Sequence, residues 1–470
     1  MHIGVGGFHR SHQAVYTERL LRLHGSGEWA ICGVGLREAD RAMQQVLKEQ
    51  DFLYTVLELE GDGRNSVSVI GAIDDFMLAG DDPNAVLEKL SDPEVRIVSL
   101  TITEGGYYID DNTGLFNKRH PDIQHDLQNP LRPRTAFGYL AEALARRLDR
   151  GIEPFTIMSC DSLPHNGDVT RKAMLSFAEL RDPALSAWID EKVAFPNSVL
   201  DRITPATNEN HKRWLEQAHG IEDIWPVVCE PFMQWVLEDN FCNGRPEWEK
   251  VGVQFSQEMT SCEFVKIGLL NAGHIAIAYL GVLAGYRYAH EVMSDQRFVS
   301  FLRTFIDQDV APALGGISGV DIDAYKRAII DRFSNRHMGD HLRRLCSDGS
   351  SKIPKFINPT IFHLLWEGGN LERVALIVAS WAQYLRVPDQ LADRYVIEDP
   401  KVDRLQRAVR SRDQLVKRFF GLTDIFGPDL ANSAELVKAF ESALARLESR
   451  GVLSVLGEMR DDQMELLSLG

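Results

Sequence analysis

Short apolar segments alternate with helix-like patterns through the first half of the chain. Residues 1–7 end a buried strand in a glycine turn, and 29–35 form a second apolar strand. A strand, a glycine turn, a helix and a strand within 35 residues are typical of one half of a Rossmann fold. Further strands are predicted at 53–59, 67–73, 97–103, 155–159, 227–230 and 251–255, and helices at 10–23, 36–49, 84–90 and 135–150. This alternation predicts a mostly parallel sheet with helices on both faces. The charged stretch 182–192 is predicted to be a surface excursion.

After residue 257 the pattern changes to helical segments only. Helices are predicted at 265–286, 300–309, 322–335, 371–385, 401–421 and 434–450, the last beginning with a capping box at Asn432 and Glu435. The fold class is therefore α/β, with an N-terminal Rossmann-type domain and a mainly α-helical C-terminal domain. The predicted boundaries are 1–257 for the first domain and 258–470 for the second.

The segment 266–285 combines an apolar helix with three polar side chains. Nineteen positions after Lys266 carry no formal charge, which is nearly enough for a membrane span. Lys266, Asn271, His274 and four glycines are an unusual content for a lipid-facing helix, and polar groups in such a place need partners. On a regular α-helix positions 266, 271 and 274 fall within about 140° of one another, so they can face one cleft.

A lysine, an amide and an imidazole suit carbonyl–alcohol interconversion without a metal. The lysine would take the hydroxyl proton, while the amide and the imidazole would hold the developing alkoxide. The ordinary lysine pKa near 10.4 must then fall by about 2–3 units, and burial and a positive helix N-terminus both lower it. Glu263, one turn earlier, would raise the pKa of Lys266 if paired with it, or would instead relay protons to solvent. The same residues also fit a structural role in capping and core hydrogen bonds.

The glycine turn at the first strand is where a dinucleotide fingerprint belongs. Gly4 would allow the tight turn and Gly6 the close approach of a pyrophosphate, although His9 stands where the third glycine is usual. Glu38 and Asp40 are the candidates to hold the adenosine ribose diol. A carboxylate there disfavours a 2′-phosphate, so NAD is expected rather than NADP, and only the neighbouring Arg37 weakens that inference.

Charge and cysteine content narrow the class of protein. Lys and Arg total 51 against 68 Asp and Glu, a net charge of -17, which disfavours nucleic acid or an anionic membrane as partner. The six cysteines contain no C-x-x-C pair, and no signal peptide precedes the first strand, so a cytoplasmic protein with reduced thiols is expected. No tyrosine is followed four positions later by lysine, which excludes the short-chain dehydrogenase dyad. The helix-spaced pairs His9/His12 and His337/His341 are not expected to bind a metal.

Seven motifs between residues 4 and 356 carry a resemblance to a known family. In order they are GVGGFHRSHQA at 4–14, TEGGY at 103–107, CDSLPHNG at 160–167, FPNSVLDRITP at 195–205, EPFMQWVLED at 230–239, Lys266-x4-Asn271-x2-His274, and CSDGSSKIPKF at 346–356. Together they resemble the mannitol dehydrogenase family of polyol-specific long-chain dehydrogenases and reductases. The resemblance implies zinc-independent, NAD-dependent oxidation of a polyol secondary alcohol to a ketose, with D-mannitol and D-fructose as the expected pair. It also implies a monomer.

The resemblance assigns roles to individual residues. It implies Lys266 as general acid/base, Asn271 as oxyanion stabiliser and His274 as a substrate-positioning residue. Asp201 and Arg344 match residues of the family's sugar pocket, and Glu263 matches one near its proton path. The implied cofactor contacts are Gly4, Gly6, Gly7, Phe8, Arg37, Asp40, Thr103 and Glu104.

Two departures from the family pattern, namely Ser162 and less chain before the first strand than is usual, and three alternative functions stay open. Ser162 stands where the family commonly has an asparagine as second oxyanion donor, and a hydroxyl can donate only one hydrogen bond. Within the family, the alternatives are a D-arabinitol or sorbitol dehydrogenase, and a fructuronate or tagaturonate reductase. The reductase would need Arg344 or Lys352 to meet the extra carboxylate. The alternative of another class is a non-catalytic NAD-binding sensor.

Overall fold

The chain folds as two compact units, Met1–Glu263 and Phe264–Gly470. The computed structural model describes residues 1–23, 28–110, 113–314, 321–386 and 397–469, and of 461–469 it describes the secondary structure only. The first unit is the Rossmann-type one, and the second is built of helices. The predicted fold class is therefore confirmed.

Eleven strands occur among the described residues, all of them in the first unit. They are β1 (His2–Ile3), β2 (Ile31–Gly35), β3 (Tyr54–Leu59), β4 (Asn65–Ile70), β5 (Ile73–Leu78), β6 (Ile97–Leu100), β7 (Thr156–Ser159), β8 (Ser198–Asp201), β9 (Val227–Cys229), β10 (Gln234–Leu237) and β11 (Gln254–Phe255). Five of them form the central parallel sheet in the order β5-β2-β1-β6-β7. The strand order reverses between β1 and β6, which is where ligands bind in doubly wound folds.

Two three-stranded sheets of mixed direction accompany the central sheet, in the orders β4-β3-β9 and β11-β10-β8. They correct one prediction, because the apolar run 67–73 is not a single strand. The chain leaves β4 at Ile70 and enters β5 at Ile73, in a different sheet. At Gly71 the backbone N–H donates to the Glu18 carboxylate at 2.9 Å, which takes the chain out of both sheets at this point.

Nine helices cover the strands of the first unit in its described residues. They are α1 (Gly7–Ser11), α2 (Gln13–Leu21), α3 (Arg41–Glu49), α4 (Pro83–Ser91), α5 (Pro121–Gln128), α6 (Ala136–Arg150), α7 (Asn166–Arg181), α8 (Pro183–Lys192) and α9 (Glu209–His219). The segment 182–192, predicted as a surface excursion, is mostly exposed, but Pro183–Lys192 within it form the regular helix α8. Asp182 accepts the Ala184 N–H as N-cap, and Pro183 takes the first helical position. Leu185 and Ile189, four residues apart, bury its inner face.

Fifteen helices follow along the described chain. They are α10 (Met259–Val265), α11 (Ala272–Leu283), α12 (Ala289–Met293), α13 (Gln296–Thr304), α14 (Ala311–Leu314), α15 (Ile322–Ser334), α16 (Leu342–Cys346), α17 (Gly349–Phe356), α18 (Asn358–Glu367), α19 (Glu372–Tyr384), α20 (Val402–Val409), α21 (Leu415–Phe420), α22 (Thr423–Ala431), α23 (Ala434–Arg450) and α24 (Val452–Leu469). The predicted helix at 401–421 is two helices. Arg418 donates to the carbonyls of Ala408 and Ser411, which satisfies the end of α20 and fixes the break.

The predicted capping box of α23 is also wrong. Ser433 caps this helix, because its hydroxyl oxygen accepts the Leu436 N–H at 3.2 Å. Asn432 instead donates its amide to the carbonyl of Pro428 at 2.7 Å. The helix itself spans Ala434–Arg450, as its apolar spacing predicts.

The apolar segment around Lys266 belongs to one helical run, Met259–Leu283. Among the described residues, it is the run that is long and apolar enough to cross a membrane by length and composition. Of its most apolar window 78% is buried, and α11 packs against α16 and α19. A Cβ at Gly281 would lie 2.7 Å from Val292, so the glycine allows close helix packing. The composition is that of a buried core helix.

Candidate functional site

A cavity opens in the first unit at the carboxyl ends of β1, β2 and β6. Its lining includes five of the eight predicted cofactor contacts, namely Gly4, Gly6, Arg37, Asp40 and Thr103. The remaining lining residues are Ile3, Val5, Leu36, Thr101, Ile102, Gly106, Tyr108, Arg134, Thr135 and Ala136. This position, at the point where the strand order reverses, is the one at which a doubly wound sheet binds a dinucleotide.

The glycine turn after β1 needs glycine for steric reasons. Gly4 has φ +96°, and a Cβ on it would lie 2.1 Å from the carbonyl oxygen of Thr101. The Thr101 hydroxyl donates to the Gly4 carbonyl at 2.5 Å, which ties the turn to the end of β6. At Gly6 a Cβ would meet nothing closer than 3.9 Å, so its backbone is open to a close-approaching ligand.

The cavity distinguishes the two acidic candidates after β2. Asp40 lines the cavity, half-buried, and its carboxylate accepts the Arg37 backbone N–H at 2.9 Å. Glu38 is exposed and accepts a hydrogen bond from the Arg41 guanidinium at 2.5 Å. A Cβ at Gly35 would lie 2.6 Å from that of Asp40, so the glycine lets Asp40 come close to the strand end. Of the two candidates, Asp40 is therefore the one whose residue lines the cavity.

The wall of the cavity after β6 is held by a half-buried carboxylate, Asp161, that sequence reasoning missed. Thr103 has φ +61° and Tyr108 φ +55°, a backbone region that such residues rarely adopt. Asp161 accepts the Ile102 and Thr103 N–H groups, each at 3.0 Å, and the Tyr107 hydroxyl at 2.7 Å. Burial raises the pKa of Asp161, and these hydrogen bonds oppose the rise. Its place in the CDSLPHNG motif was the available sequence signal.

Three predicted cofactor contacts lie outside this cavity lining. Gly7 begins α1, Phe8 stacks on the His12 ring at 5.0 Å, and Glu104 is exposed in the 3₁₀ turn Glu104–Tyr107. His9, at the position of the missing third glycine, is buried and stacked on His2. Burial lowers the pKa of His9 to about 3, which keeps the ring neutral. Within the described residues, no group of three His, Cys, Asp or Glu side chains could hold a metal ion.

In the second unit, Lys266 and Asn271 are the first and last residues of a π-helical segment, and His274 follows three positions later. The Ala272 N–H donates to the Ile267 carbonyl, five residues back. The regular α-helix assumed for the predicted 140° spread is therefore wrong, because the π turn is wider. Such π-bulges occur frequently at functional sites. A wider turn moves Asn271, five residues on, nearer to the face that carries Lys266.

Burial along the same helix singles out the polar residues. From Leu269 to Val282, only Asn271 and His274 are not fully buried. Lys266 is half-buried at the start of the π turn. These three residues thus lie on the accessible edge of the run, and the buried residues from Leu269 to Val282 form the core.

An aspartate joins two of the predicted substrate residues. His274 stacks on Phe333 with ring centroids 4.0 Å apart, and its Nε2 lies 4.0 Å from an Asp340 oxygen. Arg344 donates two hydrogen bonds to Asp340, at 2.8 and 2.7 Å. Burial would raise the pKa of Asp340, but the charges of Arg344, His274 and His341 hold it below its ordinary value. Sequence reasoning missed Asp340, although its i,i+4 spacing to Arg344 was a usable signal.

The other predicted site residues are distributed over the two units. Asp201 ends β8 and is buried, Ser162 is exposed after β7, and Glu263 is buried in α10. Lys352 donates to the carbonyls of Arg344 and Leu345, at 3.3 and 3.2 Å. Burial lowers the pKa of Lys352, so this lysine is a poor partner for a substrate carboxylate.

The sequence matches two family models in succession. The mannitol dehydrogenase Rossmann domain covers residues 1–250, and the mannitol dehydrogenase C-terminal domain covers 258–448. Mannitol 2-dehydrogenase of Emericella nidulans is 44% identical over 98% of this chain and 93% of its own length. The Aspergillus oryzae mannitol 2-dehydrogenase is 43% identical with the same coverage.

Two solved structures are similar along almost the whole chain. The Pseudomonas fluorescens mannitol 2-dehydrogenase, a ternary complex with NAD and D-mannitol, is 51% identical, with a TM-score of 0.91 over 97% of this chain and 93% of that one. A D-sorbitol dehydrogenase in substrate-free form is 39% identical, with a TM-score of 0.86 over 97% and 94%.

Proposed function

Because this chain belongs to the mannitol dehydrogenase family, we propose that it oxidises D-mannitol to D-fructose with NAD and catalyses the reverse reduction. It is an NAD-dependent polyol dehydrogenase. The observation that carries the proposed mechanism is the accessible edge of the core helix, with Lys266 and Asn271 at the two ends of a π turn. NAD, when bound, accepts the hydride from C2 of the polyol.

Lys266 acts as the general base in this proposal. Its neutral amine takes the proton of the C2 hydroxyl during oxidation, and its ammonium returns a proton to the ketose oxygen during reduction. Leu269 and Leu270 of the same π turn are buried, and apolar surroundings of this kind favour the neutral form of an amine. The step needs no metal, because the proton acceptor and the hydride acceptor are both supplied.

Stabilisation of the developing oxyanion falls to Asn271, with the Ser162 hydroxyl as a second donor. His274 positions the substrate, and its ring is fixed by the stack on Phe333 and by Asp340. Arg344 and Asp201 bind the other hydroxyl groups of the sugar chain. Arginine forks and carboxylates are both well suited to hydrogen-bonding vicinal hydroxyls.

NAD is held in the cavity of the first unit. Asp40 accepts hydrogen bonds from the adenosine ribose diol, and Gly4 and Gly6 admit the pyrophosphate. The further contacts that we propose are Gly7, Phe8, Arg37, Thr103 and Glu104. The six cysteines are all free thiols, which agrees with the proposed cytoplasmic location. We propose a monomer whose partner is the polyol or ketose substrate, and not nucleic acid or a membrane.

The proposal is tested by NADH formation with mannitol, arabinitol and sorbitol, and by NADH consumption with fructose and fructuronate, each repeated with the 2′-phosphorylated cofactor. We expect the highest kcat/KM with mannitol and NAD. Sorbitol is the second candidate, because the similar D-sorbitol dehydrogenase covers the same length of chain. A uronate is disfavoured, since Lys352 already donates to two backbone carbonyls. A higher kcat/KM with another substrate would replace mannitol, and absence of any turnover would favour the NAD-binding sensor.

Replacing Asp340 by asparagine is expected to raise the KM for mannitol by about tenfold, the effect of about 1.4 kcal/mol of lost binding energy. Arg344 keeps one acceptor, the asparagine oxygen, but loses the second hydrogen bond and the carboxylate charge, and His274 loses the nearby carboxylate. Steady-state kinetics with saturating NAD measure the change. Asp295→Asn, which breaks the Arg297 pair elsewhere in the same unit, is the matched control and should leave KM unchanged.

Acid unfolding measures how much the charge of Asp340 contributes to the stability of the fold. Because the folded pKa of Asp340 lies below 3.8, its charge stabilises the fold above that value and is lost as the pH falls through the folded pKa. The stability difference between wild type and Asp340→Asn should therefore be constant near neutrality and shrink only below pH 3.8. An unchanged KM together with a pH-independent stability difference would contradict the assigned role.

A further inference from the structure

His165 adopts an unusual backbone conformation beside a buried carboxylate. It precedes α7 with φ 49° and ψ 50°, in the left-handed region where Cβ is crowded. Its backbone N–H donates to both oxygens of Glu263, at 3.0 and 3.1 Å. The Glu263 side chain is only 6% exposed. The strained position thus brings a backbone donor, together with the N-terminus of the 16-residue helix α7, to a buried carboxylate.

The ring of His165 extends from the same carboxylate to solvent. Its Nδ1 lies 3.6 Å from Glu263 Oε2, and the side chain is 45% exposed. The second acidic group within ion-pair distance, among the described residues, is Asp168, at 3.9 Å. A gap of 3.6 Å is longer than a direct hydrogen bond, and catalytic hydrogen bonds commonly tighten when the substrate binds.

Glycine or asparagine would suit this backbone position at lower cost. Either one would keep the N–H that Glu263 accepts, because the donor belongs to the backbone. A histidine adds an imidazole, the side chain whose charge changes most readily near neutral pH. The contact with Glu263 therefore needs only the backbone of residue 165, and the ring is available for another role.

We infer that His165 is a positioning and proton-relay residue, which carries the proton released by polyol oxidation from buried Glu263 to solvent. The inference rests on the proposed function. Oxidation of one alcohol by NAD releases one proton, which Lys266 takes from the hydroxyl. Glu263 lies three positions before Lys266 in the same helical run, a spacing that favours side-chain contact. The proton passes from the ammonium to the Glu263 carboxylate, from there to the His165 imidazole, and then to water. Each step moves one proton and no electrons.

The test compares His165→Asn with His165→Gly. Both residues tolerate the left-handed backbone and keep the N–H, so both variants should fold with the wild-type melting temperature. Stopped-flow measurement with a pH indicator follows proton release, and absorbance follows NADH, in the first turnover. In the wild type the proton should keep pace with NADH. In both variants the rate of proton release should be about tenfold lower than the rate of NADH formation. This effect is smaller than the ~10²-fold loss typical of a group that reacts directly. Added imidazole should remove the lag, and KM for the polyol should not change.

His219→Ala is the matched control, because His219 is an exposed histidine at the end of α9 in the same unit. It should show no lag and no response to imidazole. Proton release that keeps pace with NADH in both variants would overturn the relay. A lag that imidazole does not shorten would also overturn it, since a purely structural role predicts no chemical rescue. If the wild type formed no NADH from any polyol, the proposed function itself would fail, so the two failures are distinguishable.

Discussion

Lys266→Ala is expected to lower mannitol turnover by about 10³-fold, within the range for loss of a general acid/base. The variant keeps every residue of the cofactor cavity, because that cavity lies in the first unit. NADH should therefore bind with unchanged affinity, as fluorescence titration would show. The loss should appear in kcat and in kcat/KM alike, since a proton acceptor contributes in the transition state.

The π turn explains why the effect should be specific to this lysine. Lys266 is half-buried at its first residue, with the buried Leu269 and Leu270 inside the turn. Lys326→Ala is the matched control, because Lys326 lies on α15 in the same unit and pairs with Asp307 at 2.9 Å. It should leave kcat unchanged. Turnover of Lys266→Ala within a factor of a few of wild type would remove Lys266 from the mechanism.

The parts of the fold that the sequence predicts are those with a repeating pattern. Strand and helix alternate through the first unit, and the observed sheet is parallel with the Rossmann order. The prediction is wrong where two successive strands lie within one continuous apolar run. The run 67–73 contains the end of β4 and the start of β5, and only Gly71 and Ala72 separate them. In α8, the inward residues Leu185 and Ile189 keep a helical spacing, but the stretch is short and ends in three charged residues, 190–192.

The π turn leaves no trace in the hydrophobic spacing, because one wider turn shifts the period for only a few residues. Lys266, Asn271 and His274 could be singled out by their polarity in an apolar run. The hydrogen bond from Ala272 to Ile267, which sets their relative placement, could not be predicted. Local composition therefore identified the candidate residues, while backbone geometry determines how they are arranged.

Contacts between residues that are far apart in the sequence are the second feature that could not be predicted. Asp161 accepts from Thr103, 58 residues away, and Asp340 lies close to His274, 66 positions earlier. No spacing rule connects such pairs, because the fold brings them together. The motif around Asp161 could be recognised in the sequence, but its function could not, because the hydrogen bond from the left-handed Thr103 to this half-buried carboxylate forms only in the fold.

Asn271→Ala is expected to lower kcat by about 10²-fold, the loss of roughly 3 kcal/mol typical of removing one oxyanion donor. KM for mannitol should change little, because the amide acts on charge that develops in the transition state. Rapid-mixing kinetics of hydride transfer measure the effect directly. Asn432→Ala, which removes an exposed amide bonded to the Pro428 carbonyl, is the control and should leave the rate unchanged.

Variants of Ser162 test whether its hydroxyl is a second donor to the oxyanion, beside the amide of Asn271. Ser162→Ala should lower kcat by about tenfold or more if its hydroxyl donates to the same oxyanion, because a hydrogen bond to a charged group contributes about 1.5–3 kcal/mol. In the double variant, the loss should be smaller than the product of the two single losses, since groups that act on one oxygen are not independent. Multiplicative losses would instead assign Ser162 to a different step. If Ser162→Ala leaves kcat unchanged, Asn271 is the only one of these two residues that donates to the oxyanion. Ser162→Asn should then raise kcat, because it supplies a second amide.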